Sequence, residues 1–214
     1  PPKQLDAMSD YRTVALFGLD NRYKQFPVQR AERCHLCSPI STTKTHEVQL
    51  VSIYRDTYLD TGSGVFEKCN AAYAKGGPEQ ALSMLNTNLD LAITDYVTVD
   101  FSAIVECVDL LGGVEMTITD DEASLMLGYI QELNRLTGNT ASCPSSGGTY
   151  TLNGVQATAF ARIRYGGGDD YKRTERQRAV LSAMIAKAQK SDLKTLNALI
   201  NTLFNDIQTS FSNA

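Results

Sequence analysis

Strand-like and helix-like stretches alternate along this chain, and that order restricts its fold more than any other feature. Val14-Ala15-Leu16-Phe17-Gly18-Leu19-Asp20 is an apolar run closing on Gly and Asp, the pattern of a buried strand that delivers Asp20 to its C-terminal end. Glu47 to Ile53 alternates loosely and predicts a second strand, which runs directly into Tyr54-Arg55-Asp56-Thr57. In open α/β sheets, ligands collect at such strand exits. Cys69 to Leu89 predicts two helices broken at Gly76-Gly77-Pro78, because Gly suits a helix C-terminus and Pro the first turn of the next. A strand at 96–99, a helix at 101–111 stopping at Gly112-Gly113, a half-buried strand at 114–118 and a helix at 121–136 follow. Residues 137–148, rich in Gly, Ser, Thr and Asn, predict an exposed loop. A turn at 152–154 leads to a short helix at 155–161, then helices at 174–189 and 193–211, the last one or two in number. Such alternation favours a three-layer α/β domain, and 214 residues suit a single core. Met84, Met116, Met126 and Met184 sit at apolar positions and are expected to fill that core.

Charge points to a ligand. Arg162, Arg164, Arg173, Arg176 and Arg178 put five arginines into seventeen residues of a chain whose net charge is −4. Guanidinium is a rigid, permanently charged fork that grips phosphate through paired hydrogen bonds. Local density on an acidic background describes a site for one small, highly charged phosphate group. A nucleic-acid surface would want broad positive charge, so nucleic acid is not an expected partner. Arg162 and Arg164, two apart, share a face of an extended segment, and Arg173 and Gln177, four apart, share a face of a helix. Two further acidic–basic groups, Asp20 with Arg22 and Arg55 with Asp56, follow the first two strands. Carboxylates among these could hold Mg²⁺, which favours oxygen ligands and substrate phosphates.

Simpler explanations exist for single members. Arg55-Asp56 alone reads as a surface ion pair, Asp20 alone as a turn or helix cap, and Arg176 and Arg178 as partners of Glu175 or of solvent. No Gly-x-x-x-x-Gly-Lys-Ser/Thr loop is present, and His35 and His46 fall in a stretch that reads as irregular. Cys34-His35-Leu36-Cys37 has half a zinc spacing with no second pair, so unpaired thiols are expected instead. Five cysteines exclude complete internal pairing. Pro1-Pro2-Lys3-Gln4 reads as a cut between domains.

Six segments in order resemble one family. They are Gly18-Leu19-Asp20-Asn21-Arg22, then 51–58 (VSIYRDTY), 70–77 (NAAYAKGG), 95–101 (DYVTVDF), 108–114 (VDLLGGV), and Leu152-Asn153-Gly154 leading into Arg162-Ile163-Arg164 and 169–177 (DDYKRTERQ). Together, across about 14–187, they resemble the LytR-CpsA-Psr family. The resemblance implies an α-β-α sandwich with a central mixed sheet and a buried hydrophobic pocket for a lipid, as one catalytic domain over 1–214. It implies a phosphotransferase on the extracytoplasmic face of a bacterial membrane, with an N-terminal anchor preceding this segment. Its substrates would be a polyprenyl-diphosphate-linked glycopolymer, of teichoic acid or capsule type, and a peptidoglycan acceptor. By motif position Asp20 would ligate Mg²⁺. Arg22, Arg55, Arg162, Arg164, Arg173 and Gln177 would hold the diphosphate. Asp56 and Asp170 would either support the arginines or help deprotonate the acceptor.

One stretch departs from the family pattern. Where an Arg-Ser-Asp-Thr-like segment normally enters an apolar strand and supplies a second metal ligand, this chain has Glu32-Arg33-Cys34-His35-Leu36-Cys37-Ser38. Neither that Asp nor an apolar strand is expected there. The seven residues can be encoded as GAG CGA TGC CAT CTT TGT AGC, and the same bases taken one position later give Ser-Asp-Ala-Ile-Phe-Val. A local frameshift would therefore restore the pattern, leaving Cys69, Cys107 and Cys143, among which one disulfide becomes feasible. A polyprenyl-phosphate binding module and a polyprenyl-diphosphate hydrolase are the competing functions.

Overall fold

The structure is a computed structural model that describes residues 12–19, 34–42, 48–164 and 170–211. It divides into two compact units, Pro1–Asp100 with Ile207–Ala214, and Phe101–Asp206.

The first unit is built on a five-stranded mixed sheet. Its strands are β1 (Arg12–Leu19), β2 (Cys34–Thr42), β3 (Val48–Leu50), β6 (Asp95–Asp100) and β9 (Ile207–Thr209), in the order β3-β2-β1-β6-β9. β1 and β6 are parallel, and the other pairs are antiparallel. β1 is buried along almost its whole length, which explains why it reads as a continuous apolar run rather than an alternating one. Helix α1 (Asn70–Leu89) packs Ala72, Tyr73, Ala81, Met84 and Leu85 into one core with Phe17. The Phe17 and Tyr73 rings meet edge to face at 5.2 Å, and Tyr73 hydrogen-bonds Thr98 at 3.0 Å. As predicted, the helix is interrupted at Gly76 and Gly77, the latter at φ 67°, and Pro78 restarts it. A hairpin, β4 (Tyr58–Asp60) and β5 (Phe66–Lys68), precedes α1.

The second unit is mostly helical. α2 (Phe101–Leu110) ends at Gly112-Gly113, both at positive φ, and leads into β7 (Val114–Ile118), which pairs with β8 (Gly148–Leu152). Between them lies α3 (Asp120–Thr137), started by a reciprocal capping box of Thr119 and Glu122. α4 (Gly154–Arg162) starts with a second box, Asn153 and Gln156. α5 (Asp170–Ala188) and α6 (Leu193–Asp206) complete the unit. Val105, Val108, Met126, Ile130, Leu133, Leu152, Ile163 and Val180 form its core. Met84 and Met126 are buried and Met116 and Met184 pack partly buried against their cores, as expected.

The sequence expectations need five corrections. An apolar strand was not expected at 32–38, yet β2 begins at Cys34 and runs between β1 and β3, so His35 lies in a strand rather than an irregular stretch. Pairing on both sides fixes this segment where side-chain pattern does not. The strand expected at 47–53 is only three residues long. β8 replaces the end of the expected loop and turn. α5 starts at Asp170, four residues early. The C-terminal segment turns from helix to strand at Ile207, where Val99 pairs with it across the sheet. Cys69, Cys107 and Cys143 form no disulfide with one another.

Candidate functional site

In the second unit the arginine cluster is brought together by α4 and α5. Arg162 is the last residue of α4, Ile163 is fully buried, and Asp170 opens α5. The Asp170 Oδ1 joins two guanidiniums, Arg173 at 3.0 Å and Arg164 at 3.4 Å. Arg162 takes different partners. It pairs with Glu132 of α3 at 3.0 Å and lies over the rings of Phe101 at 4.4 Å and Tyr129 at 5.3 Å. The expectation that Arg162 and Arg164 act as neighbours on one extended face is thus revised, because Arg162 completes a helix and each arginine has its own acid. Aromatic faces and a carboxylate surround the Arg162 guanidinium.

Arg176 was expected to pair with Glu175 or face solvent. It is instead buried, its side chain 6% exposed, with Nε donating to Glu122 Oε1 at 2.9 Å and Nη1 donating to the Ile163 carbonyl at 2.9 Å. Glu122 and Glu132 escape sequence reasoning because their arginines lie 54 and 30 residues away. Only the Thr119-x-x-Glu122 capping spacing gave Glu122 any prior mark.

In the first unit, Arg55 and Asp56 occupy a turn closed by Thr57 N donating to the Tyr54 carbonyl at 2.9 Å. The Cys69 thiol donates to the Tyr54 and Arg55 carbonyls, each at 3.2 Å, fixing this turn beneath the start of α1. Asp56 pairs with Lys68 at 2.7 Å and stands 3.9 Å from Arg55. The expected Arg55–Asp56 ion pair thus forms at long range, and Lys68 joins it as a closer partner of Asp56. Asp20 and Arg22 lie outside the described residues.

Several of these groups are buried without a hydrogen-bond partner. Among the described residues, the buried side-chain polar atoms with no hydrogen bond are Arg55 Nε, Arg162 Nη1, Arg173 Nε, Gln177 Oε1 and Thr158 Oγ1. Four of the five belong to residues expected from sequence to hold a diphosphate. Such orphaned groups are rare in folded proteins, and at a site they point to a missing ligand or water. The three N–H groups suit an anion's oxygens, whereas Gln177 Oε1 can only accept, from water or a ligand hydroxyl. No cluster of three or more His, Cys, Asp or Glu suited to a metal ion occurs among the described residues. Asp56 and Asp170 are engaged by cations, and Asp20, the expected Mg²⁺ ligand, lies outside the described residues.

The model of the LytR_cpsA_psr family matches residues 3–214. The polyisoprenyl-teichoic acid–peptidoglycan teichoic acid transferase TagU of Enterococcus faecalis is 32% identical over 168 residues, covering 78% of this chain and 48% of that protein. The corresponding TagT of Bacillus subtilis is 27% identical over 212 residues, covering 98% of this chain and 63% of its own length. The chain thus spans about half to two thirds of these relatives. A solved structure of TagT bound to LI-WTA superposes with a TM-score of 0.71 at 25% identity, covering 95% of this chain and 70% of that one.

Proposed function

The chain belongs to the LytR-CpsA-Psr family, and from that premise we propose that it transfers a glycopolymer from a polyprenyl diphosphate to peptidoglycan. The observation that carries the reading is the set of unpartnered buried atoms on Arg162, Arg173 and Gln177 of the second unit. An acceptor sugar hydroxyl attacks the polymer-bearing phosphorus. The new P–O bond is the phosphodiester to peptidoglycan, the diphosphate bridge P–O bond breaks, polyprenyl phosphate leaves, and the hydroxyl proton passes to water. Negative charge moves onto the bridging oxygen as this happens. Arg162, Arg164 and Arg173 act by fixed electrostatic stabilisation of that charge, and Gln177 Oε1 accepts from water or a sugar hydroxyl. Asp170 is held between two arginines and serves to orient them rather than to take the proton. Arg22 and Arg55 keep their expected role as hydrogen-bond donors to the diphosphate, and Asp20 its expected role as Mg²⁺ ligand. Bound Mg²⁺ would supply further charge neutralisation at the phosphates.

No helix among the described residues is long and apolar enough to cross a membrane. We place the protein on the extracytoplasmic face, tethered by a segment outside this sequence, because the proposed donor is a membrane lipid. Incubation with a labelled lipid-linked precursor, a peptidoglycan oligomer and Mg²⁺ should yield ligated glycan, and EDTA should suppress it. Absence of product, together with undiminished lipid binding by Arg164→Ala, defeats the assignment. Phosphate release without acceptor would identify a hydrolase, and EDTA-resistant binding without turnover a binding module.

A further inference from the structure

We infer that Arg176, acting with Glu122, is a positioning residue that sets the geometry of the Arg162-Ile163-Arg164 segment. The inference rests on the diphosphate-binding reading of that segment.

The chain leaves α4 at Ile163, whose backbone is already extended at φ −52° and ψ 136°. Carbonyls at a helix C-terminus have lost their intrahelical donors and need another. Arg176 Nη1 supplies one to Ile163, and that carbonyl lies between the two arginines whose placement matters. The other side of the same guanidinium is tied to Glu122 Oε1 through Nε. Glu122 is itself fixed, since its Oε2 accepts from the Thr119 backbone N–H at 3.0 Å in the α3 capping box. A continuous hydrogen-bonded path therefore runs from the start of α3, through Glu122 and the planar Arg176 fork, to the Ile163 main chain. A planar guanidinium holds its donors at fixed angles, so the path transmits position as well as charge.

The two buried arginines of α5 have divided roles. Arg173 keeps an unpartnered Nε. Arg176, almost equally buried, has both described donors committed to protein. One is prepared for a ligand, while the other holds the scaffold. A buried ion pair is a poor means of gaining stability alone, since apolar replacements often do as well. Its better-supported use is to specify one arrangement, and the arrangement specified here is the one that presents Arg162 and Arg164.

The test compares affinity for geranylgeranyl diphosphate, with Mg²⁺, in Arg176→Lys, Glu122→Gln, Arg164→Ala and Val114→Ala. All are measured well below their melting midpoints. Lysine keeps the charge but offers a single ammonium, which cannot span Glu122 and Ile163 with fixed geometry. Arg176→Lys should weaken binding about tenfold. Glu122→Gln keeps an acceptor for Arg176 Nε and should lose about threefold or less. Val114→Ala thins the same core away from the path and should bind as the parent does, whatever its melting temperature. If Arg176→Lys binds like Val114→Ala while Arg164→Ala loses affinity, the positioning role is wrong and the diphosphate reading survives. If Arg164→Ala binds like the parent, the diphosphate reading fails and this inference fails with it.

Discussion

Two Gly-to-Ala substitutions in the second unit should move stability in opposite directions. Gly154 opens α4 against α2. A Cβ built on it would lie 2.0 Å from the Val105 carbonyl oxygen and 2.7 Å from its carbon, both backbone atoms with no rotamer to escape into. Ordinary C···O contact needs about 3.3–3.6 Å, so the two helices must separate by roughly 1.3 Å. Opened by that distance over roughly 120 Å², the interface gains about 150 Å³ of void, costing on the order of 3–4 kcal/mol at about 24 cal/mol per Å³. The Gly154 N–H also donates to Asp109 at 2.7 Å, a bond that the displacement stretches. For a chain of this length Tm should fall by about 7–15 °C. Gly128 lies exposed in the interior of α3, and a Cβ there meets nothing within 4 Å. Alanine at 128 gains helix propensity of about 0.5–1 kcal/mol and should raise Tm by roughly 1–3 °C. Differential scanning calorimetry of the two variants and the parent gives the comparison directly. A Gly154→Ala protein melting within about 2 °C of the parent would show that α2 and α4 are not in backbone contact. Because α4 ends in Arg162 and α2 begins with Phe101, the same variant should weaken diphosphate binding even where it remains folded.

Three other outcomes follow from the structure. Glu132→Gln removes the carboxylate 3.0 Å from Arg162; thermal shift should show a less stable protein, and titration should show tighter diphosphate binding, since the guanidinium loses a competing anion. Burial raises the Cys143 thiol above its ordinary range, and its Sγ donates to the Ala123 carbonyl at 3.2 Å; alkylation by iodoacetamide at pH 8 should be slower than for an unstructured cysteine peptide, with a rate profile displaced to higher pH. Asp192 caps α6 by accepting the Thr195 N–H at 2.8 Å, and its carboxyl is held below the usual range first by that bond and then by the Thr195 side chain. A depressed folded-state value contributes stability above the unfolded pKa of about 3.9, lost as pH falls through the folded value. The Tm gap between parent and Asp192→Ala should therefore be full at pH 6 and close on acidification below about pH 4; a gap unchanged by acid would contradict the cap.

Local signals carried the elements whose periodicity is their own. β1, α2, β7 and α3 were legible because burial of one face or of a whole strand writes itself into neighbouring residues. β2 was not, because Cys-His-Leu-Cys-Ser-Pro has neither alternation nor β-branched apolar residues. Its place is set by pairing, with Leu19 opposite Cys34 and Ala15 opposite Pro39. Pro39 cannot donate to that ladder, so this strand conflicts with its own position between two others. β9 was hidden for the complementary reason. Ile207-Gln208-Thr209 continues the pattern of α6, and only Val97, Thr98 and Val99, more than a hundred residues earlier, make it a strand. The site divides likewise. Its cations were visible as local density, whereas the acids Glu122 and Glu132 belong to α3 and become partners only through packing.

Residue type alone cannot separate a ligand-binding arginine from a structural one, and in this cluster burial does not separate them either. Arg162, Arg173 and Arg176 are all at least nine-tenths buried. What differs is satisfaction. Each unpartnered buried polar group costs about 1–3 kcal/mol. In the second unit Arg162, Arg173 and Gln177 each keep one such atom, open to water or to a ligand. A scaffold that needed only charge balance would have closed these groups as it closed Arg176, with a carboxylate and a carbonyl in direct contact. Within the second unit, Arg162 and Arg173 each keep an N–H group open while their other atoms are anchored, an arrangement suited to an incoming anion. Gln177 Oε1 adds an acceptor for water or a hydroxyl. Water can fill those positions in the free protein, but it carries no charge to match the guanidiniums. Within the second unit that difference in satisfaction separates Arg162 and Arg173 from Arg176, and the proposed diphosphate role rests on it.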